Sequence, residues 1–251
     1  MPAEGAMQTR LEAPVQEPRD AEEAVEVDGV RRRFGDLDVL DGVSLRVRPR
    51  EVVAVVGPSG CGKTTLLELV CGLQAPDAGT VRAEPAVLMP QRDLLLPWLR
   101  AIDNAALAAR LAGLGREEAR ARARPLFAAF GLEGFERARP YELSGGMRQR
   151  VAFLRTLLSG KPVLCLDEPF AALDALTRRE LRAWLADALV REPRTVLLVT
   201  HDVEEAAALA DRVVVLSARP ARVIAELPVP RPRDEADVLA VRARALEALE
   251  A

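Results

Sequence analysis

One segment limits this chain more than any other. Glu51-Val52-Val53-Ala54-Val55-Val56 reads as a buried strand, stops at Gly57, and runs through Pro58-Ser59-Gly60-Cys61-Gly62-Lys63-Thr64-Thr65 into an apolar helical pattern that ends at Gly72. Strand, glycine-rich turn and helix in that order require an α/β fold with the turn at the carboxyl end of a strand. The Gly, four-residue gap, Gly-Lys-Thr spacing suits a phosphate-binding loop. Glycines let the backbone curl so that successive N–H groups face phosphate oxygens, and the helix adds its positive end. On this reading Lys63 reaches the β- and γ-phosphates and the Thr64 hydroxyl ligates Mg²⁺. Lysine occurs only at positions 63 and 161 in a chain that otherwise uses arginine, so a local requirement has overridden a global bias.

Composition narrows the field further. With 251 residues and 49% hydrophobic content the chain can build a sizeable core. Thirty-five Lys+Arg against 38 Asp+Glu give a net charge of -3, so no overall positive field holds it on nucleic acid. Three cysteines, Cys61, Cys71 and Cys165, lack zinc or disulfide spacing, and His201 is the single histidine. No apolar stretch approaches the roughly 20 residues that cross a bilayer, and no secretory leader pattern opens the chain.

Residues 1–24 are rich in Pro, Glu, Ala and Gln and are expected to form a flexible tail. Strands are expected at 25–30 and 39–47, antiparallel and separated by Arg31, Arg32, Arg33 and a Gly35-Asp36 turn. The Ala- and Arg-rich stretch 101–129 reads as a helical insertion with Leu107, Leu111, Leu114, Leu126, Phe127 and Phe130 at helical spacing. Short buried strands at 163–166 and 195–200 alternate with helices at 175–190 and 203–210, the pattern of a parallel sheet covered by helices. Edge strands are expected at 213–216 and 222–226. Pro228, Pro230 and Pro232 then precede a last helix at about 234–249, too short to be a second domain.

Three further segments carry chemistry. Leu164-Cys165-Leu166-Asp167-Glu168 ends a strand with two carboxylates: Asp167 suits the outer shell of Mg²⁺, and Glu168 suits a general base that takes a proton from an attacking water. A solvated turn after a strand is the structural alternative. Thr200-His201-Asp202 also follows a β-branched run, which puts His201 at the carboxyl edge of the sheet as a sensor of the γ-phosphate, or as a plain surface residue. Leu143-Ser144-Gly145-Gly146-Met147-Arg148-Gln149-Arg150 reads either as an N-cap with an arginine-faced helix or as a second anion site at a helix start.

Together, and in this order, the motifs resemble the nucleotide-binding subunit of an ATP-binding-cassette transporter over about residues 25–227. In that resemblance Gly57 to Thr65 is the Walker A loop that binds ATP, with Gly57, Pro58, Ser59, Gly60, Cys61, Gly62, Lys63, Thr64 and Thr65 as nucleotide contacts. LSGGMRQR is the signature sequence, VLCLDEP the Walker B strand, Ala172-Leu173-Asp174 the D-loop, His201 the switch histidine and Gln91 the Q-loop glutamine near the metal and water. Phe34 matches the aromatic that stacks on adenine, with a core or hairpin role as its alternative. The implied fold is a P-loop NTPase core with a parallel sheet flanked by helices, an antiparallel β subdomain and a helical subdomain at about 92–158; residues 228–251 form a short extension.

The resemblance further implies a head-to-tail homodimer in which Ser144, Gly145, Gly146, Gln149 and Asp174 of one copy meet the nucleotide of the other. It implies Mg²⁺ at Thr64, Gln91 and Asp167, and catalysis by Glu168, His201 and Gln91. The stretch 92–100, with Leu94, Leu95, Leu96, Trp98 and Leu99, is divided between core packing and a groove for membrane permease subunits. A solute-binding protein is an indirect partner, and the chain is expected at the cytoplasmic face of the cell membrane as a peripheral subunit. LLPWLRAIDN and the signature helix resemble importers of nitrate, sulfonates, taurine or the pyrimidine precursor of thiamine. An exporter subunit and a soluble cassette protein remain as alternatives, and Met89-Pro90 departs from the aromatic common before the Q-loop glutamine.

Overall fold

In the computed structural model, residues 23–250 are described except positions 172, 192, 232 and 233. The expected tail at 1–24 therefore lies outside the described residues but for its last two. Strands β1 (Val25–Phe34) and β2 (Leu37–Val47) form the expected antiparallel hairpin. Both run longer than the apolar pattern. Arg31, Arg32 and Arg33 belong to β1 rather than to a connecting loop, because each has an acid beside it: Arg31 pairs with Asp41 at 3.2 Å, Arg32 with Asp77 at 3.0 Å and Arg33 with Asp38 at 3.5 Å. Neighbouring charges of opposite sign support a strand without any hydrophobic alternation, and irregular register absorbs the polar run.

β3 (Val52–Val56) leads through the glycine-rich loop to α1 (Lys63–Val70). β4 (Ala78–Ala83) completes a three-stranded sheet ordered β2-β1-β4, and β5 (Ala86–Met89) opens the second sheet; neither strand was expected from the sequence. Helices α2 (Ala101–Ala105), α3 (Leu107–Leu111), α4 (Arg116–Ala129) and α5 (Gly145–Leu157) form the insertion. They are followed by β6 (Val163–Asp167), α6 (Ala175–Arg191), β7 (Thr195–Val199), α7 (Val203–Leu209), β8 (Arg212–Leu216), β9 (Val223–Pro228) and α8 (Glu235–Glu250).

The second sheet has the order β5-β6-β7-β3-β8-β9, parallel throughout except for the β8-β9 pair. β8 is thus an interior strand, not an edge, because it pairs with β3 on one side and β9 on the other. Alternation along the strands sorts the core into two layers. Val53, Val55, Cys165, Leu197 and Val214 join α1 and the antiparallel sheet. Val52, Ala54, Leu164, Val196 and Val213 face the remaining helices.

Of the apolar pattern in the helical insertion, Phe127 and Phe130 are buried and Leu107, Leu114 and Leu126 half-buried, but alanines supply much of the buried face and one leucine points outward. Leu111 is 82% exposed, while Ala105, Ala106, Ala109, Ala119 and Ala123 are buried with Phe127. Alanines let the helices approach closely, so the contact is a small-residue seam closed by Phe127. The buried Asp103 on α2 accepts from Arg120 Nε at 2.9 Å and so ties α2 to α4. Phe130, Phe153, Phe170 and Trp184 then join the insertion to α6, with Phe130 and Trp184 ring centroids 4.0 Å apart.

Phe127→Ala is expected to lower the unfolding free energy by about 3–5 kcal/mol in urea, whereas Leu111→Ala changes it by less than about 0.5 kcal/mol. Similar costs at the two positions would contradict the alanine-lined seam.

Candidate functional site

Four segments far apart in sequence end at one level. β6, β7 and β3 lie side by side and parallel, with Asp167 opposite Val199 and Val199 opposite Val55. β5 pairs Met89 with Leu166 on the far side of β6. The residues just past these strand ends are Gly57, Glu168, Thr200-His201 and, two beyond β5, Gln91. All stand at the carboxyl edge of the sheet, where open α/β sheets bind ligands.

The loop after β3 depends on Gly62 at φ 123°: a Cβ there would stand 2.8 Å from both Leu40 Cδ2 and Val39 Cγ1 of the hairpin. Lys63 is buried, and its Nζ donates to Gly57 O at 2.8 Å and Pro58 O at 2.9 Å, which holds the ammonium across the loop mouth. The Thr64 hydroxyl donates to Asp167 Oδ2 at 2.7 Å. Burial pushes the Asp167 carboxyl up, the Thr64 hydroxyl opposes the rise and the Glu168 charge adds to it. A divalent cation beside that carboxylate would relieve the same cost.

Glu168 adopts φ 47°, a left-handed conformation uncommon for a side chain of its size and a form of strain often held at functional sites. Its backbone N–H donates to Val199 O at 2.8 Å, which fixes the turn to β7. From there its carboxylate accepts from Gln91 Nε2 at 2.9 Å and lies 3.2 Å from His201 Nδ1. Gln91, Glu168 and His201 thus form one polar cluster.

A cleft of about 520 Å³ joins these parts, lined by Phe34, Lys63, Thr64, Gln91, Asp167 and Glu168 among others. Ser59, Gly60, Gly62 and Thr65 also border it, while Gly57, Pro58 and Cys61 do not. Cys61 is buried in the layer between the two sheets, so only its backbone is available to a phosphate. Phe34 is 43% exposed at the end of β1, with the Arg32 guanidinium 4.6 Å from its ring centroid. It is a cleft wall and not a core residue. Arg219, from the turn after β8, lines the same cleft and was missed from sequence. No local motif marks it; pairing of β8 with β3 brings it there.

The Ser-Gly-Gly segment lies elsewhere. Ser144 is the N-cap of α5, its Oγ accepting from Met147 N at 3.2 Å, and Ser144 and Gly145 are exposed. Gly146 packs where a Cβ would be 3.2 Å from Leu173 Cδ2. Asp174 caps the start of α6, and the Thr177 backbone N–H holds its carboxyl below the usual carboxylate range. None of Ser144, Gly145, Gly146, Gln149 and Asp174 borders the cleft. Gln149 departs from expectation most: it is 3% exposed, beneath α5 beside Phe153 and Phe170 rather than on the surface with Ser144. Position 172 lies outside the described residues.

The segment after Gln91 divides between core and surface. Leu95 is buried, Leu96 and Leu99 are half-buried, and Leu94 and Trp98 are exposed, Trp98 at 67%. Among the described residues no helix is long and apolar enough to cross a membrane, and no cluster of three His, Cys, Asp or Glu side chains could hold a metal. Thr64 and Asp167 nonetheless fit Mg²⁺, a hard cation that takes one or two protein oxygens and completes its shell with phosphate and water.

Comparisons with known proteins agree with this geometry. The family model for the ABC transporter matches residues 40–171. An aliphatic sulfonates import ATP-binding protein of Xanthomonas axonopodis pv. citri is 47% identical over 82% of this chain and 72% of its own length. A formylaminopyrimidine import ATP-binding protein of Halalkalibacterium halodurans is 45% identical over 76% of this chain and 78% of its own. A taurine import ATP-binding protein of Burkholderia thailandensis is 45% identical over 77% and 78%. Among solved structures, a dimeric ATP-binding cassette in a post-hydrolysis state bound to ADP and Pi superimposes with a TM-score of 0.75 at 28% identity, covering 82% of this chain and 99% of that one.

Gly62→Ala forces a strained φ and a clash together, of order 1–3 kcal/mol, and is expected to weaken nucleotide binding by roughly tenfold or more in equilibrium titration. Unchanged affinity would show that the loop is not where the nucleotide sits.

Proposed function

The chain belongs to the ABC transporter family and is an ATPase that binds ATP, and from that premise we propose that it powers import of a small solute of the sulfonate, taurine or formylaminopyrimidine type. The single observation that carries the catalytic part is the meeting of Lys63, the Thr64-Asp167 pair and the Gln91-Glu168-His201 cluster at one sheet edge. The names of the relatives carry the direction of transport and the solute class.

In this reading the phosphates rest on the backbone N–H groups of the loop, with Lys63 turning from the Gly57 and Pro58 carbonyls to the β- and γ-phosphates. Phe34 stacks on the base at the far end of the cleft. Thr64 and Asp167 would hold Mg²⁺, with Gln91 near it, and the bound ion would supply charge neutralisation at the phosphates. Glu168 takes the proton of the attacking water, and His201 braces the γ-phosphate or the water from the other side of that carboxylate.

Ser144 and Gly146 serve the nucleotide of a second copy, since they do not border their own cleft; Asp174 stands at the same junction. ATP shared in this way joins the two copies, and loss of the γ-phosphate loosens them. Gln149 faces inward from α5, away from the exposed start of the helix that would meet that nucleotide. The ATPase unit spans about 25–227, with the helical subdomain at about 92–158 and the extension at 228–251. Leu94 and Trp98 form the exposed part of a groove for permease subunits, which holds the chain at the cytoplasmic face of the membrane.

Lys63→Ala is expected to abolish nucleotide binding or turnover. Glu168→Gln is expected to retain ATP binding, block hydrolysis and trap an ATP-bound dimer, read by size-exclusion chromatography with and without ATP; normal turnover in that variant would refute the assigned base. Trp98→Ala leaves ATP affinity near the parent value and weakens co-purification with the membrane subunits. Intact co-purification would count against the groove.

A further inference from the structure

Glu168 separates two spaces. In front lies the nucleotide cleft; behind lies a cavity of about 40 Å³, walled also by Arg178, Thr200, His201, Asp202 and Glu205. The sequence gives no reason to join these residues, and the chemistry described so far uses neither Glu205 nor Arg178. Glu205, on α7, is 4% exposed, yet its Oε1 has no hydrogen-bond partner among the described residues. Arg178 Nε, on α6, is likewise buried and without a partner, although its Nη2 donates to Leu173 O at 3.1 Å. A buried acceptor and a buried donor left open beside one small polar cavity make a site for ordered water, and the volume admits about two or three molecules.

The two carboxylate oxygens of Glu168 face different ways. Oε2 accepts from Gln91, and Oε1 lies against His201, which is itself a wall of the rear cavity. A base that has taken a proton must lose it before the next turnover, and bound nucleotide covers its front. Resting on the assignment of Glu168 as that base, we propose that the rear cavity is the proton exit and that Glu205 is the residue that receives the proton. The O–H bond formed on Glu168 during attack breaks, ordered water in the cavity relays the proton, and an O–H bond forms on Glu205 Oε1. Glu168 returns to the carboxylate. His201 and Asp202 also border an open outer groove of about 310 Å³, through which Glu205 passes the proton to solvent.

The surroundings of Glu205 suit a group that both accepts and releases a proton. Burial raises its carboxyl to about 7; Asp202 adds to the rise, while Arg182, Arg178 and the Thr200 hydroxyl oppose it. The groups that face it are Arg178 and Arg182 from α6, Thr200 and His201 past the end of β7, Glu168 past β6, and Asp202 at the cap of α7. Glu204, its neighbour on α7, turns outward to Arg242 of α8 at 4.0 Å. Near neutral pH Glu205 is divided between its two forms, the condition for moving a proton in either direction.

The test is the pH profile of kcat and KM for ATP, measured on the full chain assembled with its membrane subunits, for the parent, Glu205→Gln and Glu205→Asp. Parent turnover is expected to rise through neutral pH as Glu205 ionises. Glu205→Gln loses that limb and falls by roughly tenfold or more at alkaline pH with KM unchanged, and Glu205→Asp restores the limb.

A purely structural role predicts otherwise. The folded carboxyl titrates above the ordinary range of a glutamate, so its contribution to stability is full below that range and is lost as pH rises through about 7. Glu205→Gln is therefore expected to melt no lower than the parent at alkaline pH. A lower melting temperature together with lost turnover, a loss with the parent's pH profile, or no loss at all overturns the proposal. Normal turnover in Glu168→Gln would instead remove the base assignment on which it rests.

Discussion

The structure depends on the register of three parallel strands. Because β6, β7 and β3 end together, the phosphate loop, the two carboxylates and the histidine meet although more than a hundred residues separate the first from the last. The strands are buried on both faces, so a slip of one residue would exchange the two layers of side chains. Val53 and Val55 would then face the helical side, and Val52, Ala54 and Val56 would meet α1. The geometry of the candidate site is held by the same packing that holds the fold, and its supports are strand ends.

The second organising feature is a polar brace between the segment after Gln91 and the helix that begins at Ser144. Arg148 Nε donates to Asp93 Oδ2 at 3.0 Å, and Arg155 donates to the Asp93 and Leu94 carbonyls at 2.7 Å and 2.9 Å. Asn104 on α2 closes the far side through Leu96, accepting from its N–H at 2.8 Å and donating to its carbonyl at 3.1 Å. Burial lowers the basicity of Arg155 but leaves it a donor to both carbonyls. These hydrogen bonds tie the segment after Gln91, which includes the exposed Trp98, to α5. This gives the proposed coupling between nucleotide and permease a physical carrier.

How much of this was legible in the sequence follows from the range of each signal. Lys63, Thr64, Asp167 and Glu168 sit in local patterns whose chemistry is self-contained, and strand ends marked by β-branched runs located them. The charged end of β1 was not legible, because Arg31, Arg32 and Arg33 are stabilised by Asp41, Asp77 and Asp38, partners that only the fold brings near. β4 and β5 were missed since they are short and carry no strong alternation. In the insertion the apolar pattern located Phe127 and Phe130, which are buried, but the alanine seam was not legible because alanine gives little signal on its own, and Leu111 of the same pattern points outward. Gln149 was read from its place in a motif, whereas 3.6 residues per turn carry it round to the underside of α5. Arg219, Arg178 and Glu205 reach their cavities through tertiary pairing alone.

The two glycine-rich helix starts lie apart. α1 presents its N-terminus to the chain's own cleft, and α5 presents Ser144 and Gly145 to solvent at a distance from it. A triphosphate carries more negative charge than Lys63 and one helix dipole neutralise, so it remains attractive to a second positive terminus. Within one chain the packing of Gly146 against Leu173 and the brace from Asp93 hold α5 where it is. In the proposed pairing the second terminus comes from another copy, and a ligand that joins two copies stabilises the pair only while it reaches both. Cleavage of the terminal phosphoryl removes the group that α5 of the mate would hold. In this proposed arrangement the energy of hydrolysis is expressed as a change in association, carried to the membrane partner by the segment that contains Gln91 and Trp98.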